Sequence, residues 1–170
     1  LGDVYKRQEL CSAVSRECLQ YGYEPVMLTD QLCCQAKEAG SFLASIAKTH
    51  CKSGKKLAYI AGGETIVNIT GHGKGGRNQE IALSAAEGIK GMSNAAVFSI
   101  GSDGTDGPTD AAGGYSDGDT AGVLKNKGID IFEVLKNNDA YNALKLTEGL
   151  IITGPTGTNV NDVSVLLISD

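Results

Sequence analysis

Residues 57–80 read LAYIAGGETIVNITGHGKGGRNQE, and this stretch decides the predicted fold class. It begins with an unbroken apolar run over residues 57–61, as expected of a strand that is buried on both faces of a sheet. Two glycines interrupt the run, and they predict a bend, a bulge or a close backbone approach. The β-branched segment 65–70 then predicts a second strand. The bend favours antiparallel pairing, so we expect a mixed sheet.

Helices and strands alternate on both sides of this stretch. Small and apolar residues recur at helical spacing at Ala82, Ala85, Ala86 and Ile89, which predicts that a helix follows. Upstream, the pattern predicts a helix, a strand and a helix over residues 9–20, 24–29 and 32–49. Downstream, it predicts strands at 95–100, 150–153 and 162–168 and short helices at 119–127, 130–137 and around Tyr141 and Leu144. The predicted fold is therefore α/β, with a mixed β-sheet flanked by helices in a three-layer α/β/α arrangement.

The chain is predicted to form one folded unit after a short foreign segment. We interpret residues 1–8 as a non-native leader, because they resemble a translated sequencing adaptor and share no apolar periodicity with the helix that follows. Residues 9–56 are expected to pack with residues 57–170 as one unit.

Composition excludes several classes of function. The 170 residues include 15 basic and 20 acidic side chains, giving a net charge of −5. This balance argues against a nucleic-acid groove and against a basic membrane-binding face. The longest apolar runs are too short to span a bilayer. All five cysteines lie within the first 51 residues without a C-x-x-C spacing, so we interpret them as reduced thiols of a cytoplasmic protein.

Glycine is concentrated where ligands bind in α/β folds. Only four of the 23 glycines precede residue 55, and the other nineteen fall between Gly62 and Gly157, many of them in polar loops that follow predicted strands. Three such loops span residues 71–80, 101–114 and 153–162. Because ligands of open α/β sheets bind beyond the carboxyl ends of the strands, we expect these loops to meet and form a site.

The first loop matches G-x-G-x-x-G at Gly71, Gly73 and Gly76. A dinucleotide-binding loop requires an acidic residue about 20 positions later, whereas Asp103 comes about 30 positions after Gly73. A more general hypothesis is an anion site at a helix N-terminus, to which Lys74 and Arg77 would add positive charge. The alternative is a flexible turn with solvated cations.

The second loop contains three carboxylates, Asp103, Asp106 and Asp110. Such carboxylates can hold Mg²⁺ together with substrate phosphates, or can orient a hydroxyl nucleophile. The structural alternative, a turn or helix-cap role, is expected to apply to Asp110 and one of the other two. The third loop could bind a phosphate through backbone donors, or Asn161 and Asp162 could simply stabilise the turn.

Five motifs in a fixed order resemble the MOFRL domain, the C-terminal part of class II glycerate 2-kinases, which older names describe as hydroxypyruvate reductases. They lie at residues 62–65 (GGET), 75–80 (GGRNQE), 103–113 (DGTDGPTDAAG), 137–139 (NND) and 153–162 (TGPTGTNVND). The likeness covers residues 57–168, and residues 9–56 resemble the segment just upstream of that domain.

The resemblance implies transfer of the ATP γ-phosphoryl group to the 2-hydroxyl of glycerate, with Mg²⁺ as cofactor. It also implies a two-domain protein whose N-terminal Rossmann-like domain carries a catalytic lysine. That domain is absent from these residues, so we expect the fragment alone to be inactive. Carried over to matching positions, Arg77 would bind the glycerate carboxylate or the transferring phosphoryl group, and Asp103 or Asp106 would hold Mg²⁺ or orient the hydroxyl. The implied substrate- and phosphate-binding residues are Gly62, Gly63, Glu64, Lys74, Gly75, Gly76, Asn78, Thr105, Thr156, Gly157, Thr158 and Asn159.

Two other functions remain open at this point. The G-x-G-x-x-G match and the older family name suggest an NAD(P)H-dependent hydroxypyruvate reductase. A non-catalytic module that binds a small ligand would use the same loops without chemistry.

Overall fold

The computed structural model describes residues 2–170 and contains a six-stranded sheet. The strands are β1 (Glu24–Leu32), β2 (Leu57–Gly63), β3 (Ala95–Gly101), β4 (Gly113–Asp117), β5 (Leu150–Ile151) and β6 (Asp162–Ile168). Their order across the sheet is β1-β2-β6-β3-β4-β5. Only β1 and β2 pair in parallel, and the remaining pairs are antiparallel. The predicted mixed sheet is confirmed.

Helices cover both faces of this sheet. They are α1 (Gly2–Gln20), α2 (Ala36–His50), α3 (Arg77–Gly88), α4 (Thr120–Asn126), α5 (Ile131–Lys136) and α6 (Ala140–Leu146). On one face, α2 and α3 pack over strand residues such as Leu57 and Leu166. On the other, α1 packs over Ile60 and Val165. The alternation of strand side chains between the two clusters confirms the three-layer α/β/α prediction.

Strand β6 joins the two halves of the sheet. Its residue Val165 pairs with Ile60 of β2 on one side and with Phe98 of β3 on the other. Strands β2, β3 and β6 end or begin at Gly63, Gly101 and Asp162, which lie together at one edge. That edge is where the site is built.

The expected strand at residues 65–70 is wrong. After β2 the chain leaves the sheet, and only Ile66 makes an isolated bridge, to Gln35. The side chains of Ile66 and Ile69 are 62% and 76% exposed. Glu64 and Ile66 donate backbone hydrogen bonds to Leu32 and Cys34. Beyond Ile66 the segment pairs with none of the six strands, and propensity alone does not form a strand.

Strand β4 is not among the predicted strands: Gly113 and Gly114 belong to the predicted loop 101–114, and residues 115–117 have no predicted element. Its sequence, GGYSD, lacks the β-branched and apolar residues that indicate a strand. Gly113 is nevertheless required there, because a Cβ at this position would collide with the carbonyl oxygen of Ser99 in β3. The close approach of the β3 and β4 backbones thus explains a strand that the side chains of β4 do not predict.

Helix α1 begins at Gly2, earlier than the predicted start at residue 9. Within this added part, Arg7 donates a hydrogen bond to the carbonyl oxygen of Asp30 at 3.1 Å. Leu1 lies outside the described residues, and the interpretation of residues 1–8 as a non-native leader stays a prediction. Among residues 2–170, no helix is both long enough and apolar enough to cross a membrane.

Candidate active site

The three glycine-rich loops meet at one end of the sheet, as predicted. The hydroxyls of Thr156 and Thr158 both donate to the carbonyl oxygen of Ser102, at 2.5 and 3.2 Å. This joins the third loop to the second. The second loop in turn packs against the first, because Asp106 lies directly beneath Gly76.

Asp106 stabilises the N-terminus of helix α3. One of its carboxylate oxygens accepts hydrogen bonds from the backbone N–H and the side-chain amide of Asn78, at 3.0 and 3.1 Å. The other accepts from the backbone N–H of Gln79 at 2.9 Å. Helix N-termini attract negative charge, and here a distant aspartate supplies it. With 2% of its surface exposed, Asp106 serves the fold and is not open to a ligand, contrary to its expected catalytic or metal-binding role.

Asn78 has a similar structural role. It is fully buried, and its side-chain oxygen accepts a hydrogen bond from the hydroxyl of Ser99 at 2.6 Å. That hydroxyl also lies 2.7 Å from the hydroxyl of Ser164 in β6. A buried polar network of this kind fixes α3 to the central strands. The expectation that Asn78 contacts the substrate is therefore not met by its position.

Arg77 is the first residue of helix α3, and two carboxylates fix its guanidinium group. Its Nε and Nη2 donate to the two oxygens of Asp162, the second at 3.1 Å, which is the bidentate geometry preferred by arginine. Its Nη1 lies 3.0 Å from the carboxylate of Glu64. The hydrogen bonds that Arg77 donates to Asp162 raise the pKa of Arg77, so the group stays charged. The guanidinium is thereby fixed at the edge of a cleft, with 36% of the side chain exposed.

The glycines of the G-x-G-x-x-G match are required for packing. A Cβ at Gly71 would collide with the backbone of Asn137, and one at Gly73 with Asp139. The turn at 137–139 also binds this loop directly, since Asn138 accepts hydrogen bonds from the N–H groups of Thr70 and Gly71 at 2.7 and 2.8 Å. In the described structure no β-strand leads directly into the loop, because β2 already ends at Gly63. These features do not match a dinucleotide-binding loop.

Gly62 and Gly63 are buried within β2, where backbone and side chains approach closely. A Cβ at Gly62 would collide with the sulfur of Cys11, and one at Gly63 with the backbone of Leu32. Gly63 also has a φ of 148°, which side-chain-bearing residues rarely adopt. Gly62 and Gly63 therefore set the path of the backbone leading to Glu64, and neither residue is exposed to a ligand.

A cleft of about 640 Å³ opens beside Arg77. Its walls combine apolar side chains, exposed glycine backbone and a few polar groups. The lining residues that carry polar side chains are Glu64, Thr65, Arg77, Glu80 and Asn138. A mostly apolar cleft with few convergent polar groups is typical of small-molecule sites.

Only some of the site residues predicted from the sequence line the cleft. Of those residues, Glu64, Gly75, Gly76 and Arg77 line it. Lys74 instead lies over the ring of Tyr141, with its Nζ 4.1 Å from the ring centroid. The remaining loop residues outside the cleft are Asp103, Thr105, Thr156, Gly157, Thr158 and Asn159.

Sequence reasoning missed two carboxyl groups of the site. Asp162 was interpreted as a turn residue, yet it is 5% exposed and holds Arg77. Glu80 has no assigned role in the sequence analysis, yet it is also 5% exposed and lines the cleft. Burial raises the pKa of Glu80 from 4.5 to about 7, opposed by a hydrogen bond from Asn138. Its helical spacing from Arg77, three residues away, is the signal that could have identified it.

The acidic residues do not converge on a metal-binding position. Among residues 2–170, no group of three or more His, Cys, Asp or Glu side chains is arranged to hold an ion. Both oxygens of Asp106 are taken by α3. Asp103 uses one oxygen to accept from the N–H of Thr105 at 2.9 Å. The chain therefore fits, at most, a metal that is held mainly by substrate phosphates and touches Asp103.

Comparisons with known proteins agree with this architecture. The model of the MOFRL family matches residues 57–162. A D-glycerate 2-kinase of Thermotoga maritima is 50% identical over 95% of this chain and 40% of its own length. A glycerate 2-kinase of Pyrococcus horikoshii is 45% identical over 94% of the chain and 37% of its own length. A crystal structure of glycerate kinase from Thermotoga maritima superposes with a TM-score of 0.91 at 50% identity, over 95% of this chain and 40% of that one. The chain thus spans about 40% of the length of these relatives.

Proposed function

Because the chain belongs to the MOFRL family, we propose that it is the C-terminal part of a glycerate 2-kinase, which transfers the γ-phosphoryl group of ATP to the 2-hydroxyl of glycerate. The missing part of the protein is proposed to be an N-terminal Rossmann-like domain that carries a catalytic lysine and closes over the cleft. The observation that carries this proposal is the fixed guanidinium of Arg77 at the edge of a cleft of small-molecule size. The protein is proposed to be cytoplasmic, which agrees with the five free cysteines among the described residues.

Arg77 suits phosphoryl transfer because its position is set before substrate binds. Asp162 and Glu64 orient the guanidinium, and one N–H on each terminal nitrogen remains to donate to an anion. In phosphoryl transfer the protein mainly positions the reactants and neutralises charge. Arg77 would bind the carboxylate of glycerate or an oxygen of the transferring phosphoryl group. Because its side chain is already ordered, this binding would cost little further conformational entropy.

ATP and Mg²⁺ are proposed to bind between the two domains. In this chain, the third loop and Asp103 form the surface next to Asp162, where phosphates could accept hydrogen bonds from backbone N–H groups of the loop; the hydroxyls of Thr156 and Thr158 hold the loop to Ser102. Mg²⁺ supplies charge neutralisation when bound to the nucleotide. Asp103 is the carboxylate of this chain that remains accessible to it.

The test is an assay of the full-length protein. Incubation with ATP, Mg²⁺ and D-glycerate is expected to yield phosphoglycerate and ADP. Arg77→Ala is expected to lower kcat/KM on the order of 100-fold or more, as for loss of one preorganised donor to a developing charge. Arg16→Ala, at an exposed position on α1, is the matched control and should leave activity unchanged.

Absence of glycerate-dependent ADP formation would contradict the proposal. Oxidation of NADH by hydroxypyruvate would instead support a reductase. Binding of glycerate without either reaction, unaffected by alanine at Arg77 or Asp103, would support a non-catalytic module.

A further inference from the structure

Glu80 is a buried carboxyl group on the wall of the cleft, one helical turn after Arg77. Residues three apart on a helix lie on the same face, with Cβ atoms about 5–6 Å apart. Arg77 and Glu80 both line the cleft, so α3 presents a cation and a carboxyl group side by side. Within residues 2–170, no lysine or arginine forms an ion pair with Glu80.

Two polar groups on this wall of the cleft, the Glu80 carboxyl and the Thr65 hydroxyl, lack a full set of hydrogen bonds. Glu80 accepts only a long hydrogen bond, from the side-chain amide of Asn138 at 3.4 Å. Thr65 lines the same cleft, and its hydroxyl is buried without any partner. Buried polar groups in folded proteins are nearly always paired, so two incompletely paired groups on one wall indicate a polar ligand atom between them. The fold explains neither group.

We propose that Glu80 contacts the substrate directly and selects it by hydrogen-bonding the hydroxyl that is not phosphorylated. This inference rests on the proposed function and takes the first of its two alternatives for Arg77, in which that residue binds the carboxylate of glycerate. The reacting 2-hydroxyl must face the nucleotide at the open side of the cleft. Glu80 is 5% exposed and lies on the inner wall, which places it next to the 3-hydroxyl. Thr65 is expected to share this contact.

Charged groups around Glu80 make the contact depend on pH. Burial is the main reason that the pKa of Glu80 rises to about 7, and the negative charge of Asp106 adds to it. Asn138 and the positive charge of Lys37 on α2 act in the opposite direction. Below neutrality, a protonated Glu80 can both donate to and accept from a hydroxyl. Above neutrality, its negative charge lies near an anionic ligand, so glycerate should bind more weakly.

The experiment compares two acids that differ by one hydroxyl. Calorimetry with the full-length protein, at pH 6 and pH 8, measures the binding of D-glycerate and of D-lactate, which lacks the 3-hydroxyl. The wild type is expected to prefer glycerate on the order of tenfold, as for one hydrogen bond in a buried site. Glu80→Ala should abolish this preference. Glu80→Gln should keep the preference, because an amide also donates and accepts, but should lose the pH dependence.

A control variant and the kinase assay separate the possible outcomes. Glu87→Gln, at an exposed position of the same helix, should match the wild type in every measurement. An unchanged preference in Glu80→Ala overturns the inference, as does an equal loss of affinity for both acids, which a structural role would produce. Selective binding without phosphoryl transfer contradicts the proposed function but supports the Glu80 contact. A wild type that binds neither acid contradicts both.

Discussion

Replacing Asp106 with asparagine should destabilise the fold, although Asp106 resembles a catalytic residue in the sequence. In the structure, its two oxygens accept three hydrogen bonds from the first turn of α3. An asparagine can keep one oxygen toward Asn78, but its amide nitrogen then faces the N–H of Gln79, so two donors meet.

The expected cost follows from the groups involved. Loss of a hydrogen bond to a charged group, with a buried donor left unpaired, costs about 1.5–3 kcal/mol. Loss of negative charge at a helix N-terminus adds about 0.3–1 kcal/mol. Burial opposes the charge and raises the pKa of Asp106, so removing that charge offsets part of the loss. We therefore expect a decrease of about 2 kcal/mol in the free energy of unfolding, which lowers Tm by about 4–8 °C in a domain of this size.

Urea unfolding of this chain at pH 7, followed by circular dichroism, measures the effect. Asp103→Asn is the matched control in the same loop. Asp103 accepts a single hydrogen bond, from Thr105 in a surface turn, so its replacement should change stability by less than about 1 kcal/mol. If Asp106→Asn unfolds at the same urea concentration as the wild type, Asp106 does not stabilise α3. The result would then favour the interpretation of Asp106 as a catalytic residue.

Three further outcomes are expected. Glu64→Gln removes one of the two carboxylates that orient Arg77, so the KM for glycerate in the full-length protein should rise about two- to fivefold, the range of an exposed ion pair; an unchanged KM would mean that Asp162 alone orients the guanidinium. Glu80→Gln should flatten the pH dependence of stability: the folded-state pKa of Glu80 lies above its unfolded value, so the wild type loses stability as pH rises from about 4.5 to 7, by about 1–2 kcal/mol after allowance for water in the cleft. Urea midpoints at pH 5 and pH 8 that differ equally in both proteins would argue against this. Gly71→Ala should cost about 1–3 kcal/mol because its Cβ meets Asn137, whereas Gly122→Ala, in an open helical position of α4, should be neutral or stabilising; equal Tm values would contradict the packing role of Gly71.

Local sequence patterns were sufficient to predict most of the fold. The helical spacing of Ala36, Ala39, Leu43 and Ala47 indicates the apolar face of the helix predicted at residues 32–49, and all four are buried. The meeting of the three loops also followed from pattern, because polar loops after strands of one sheet share an edge. These features depend on residues that are close in sequence.

The roles of the charged residues depend on partners far away in the chain. Asp162 binds Arg77 across 85 positions, and Asp106 caps a helix that begins 29 residues earlier. The sequence contains one indication that a residue from elsewhere caps α3. Gly76 stands at the N-cap of α3 and has no side chain to accept the free N–H groups, so the cap had to come from elsewhere. The predicted strand at 65–70 is wrong for a related reason, since beyond Ile66 the segment has no partner among the six strands.

The position of β6 has a consequence for how the chain folds during synthesis. This strand follows every other element of the described chain, yet it lies between β2 and β3 in the middle of the sheet. Until it leaves the ribosome, β2 and β3 have no shared partner, and each exposes an unpaired edge to other nascent chains. Closing the sheet therefore has to await β6, and Asp162, at the start of that strand, reaches Arg77 only then. A nascent chain stalled before β6 should be open to proteases and unable to fix the guanidinium.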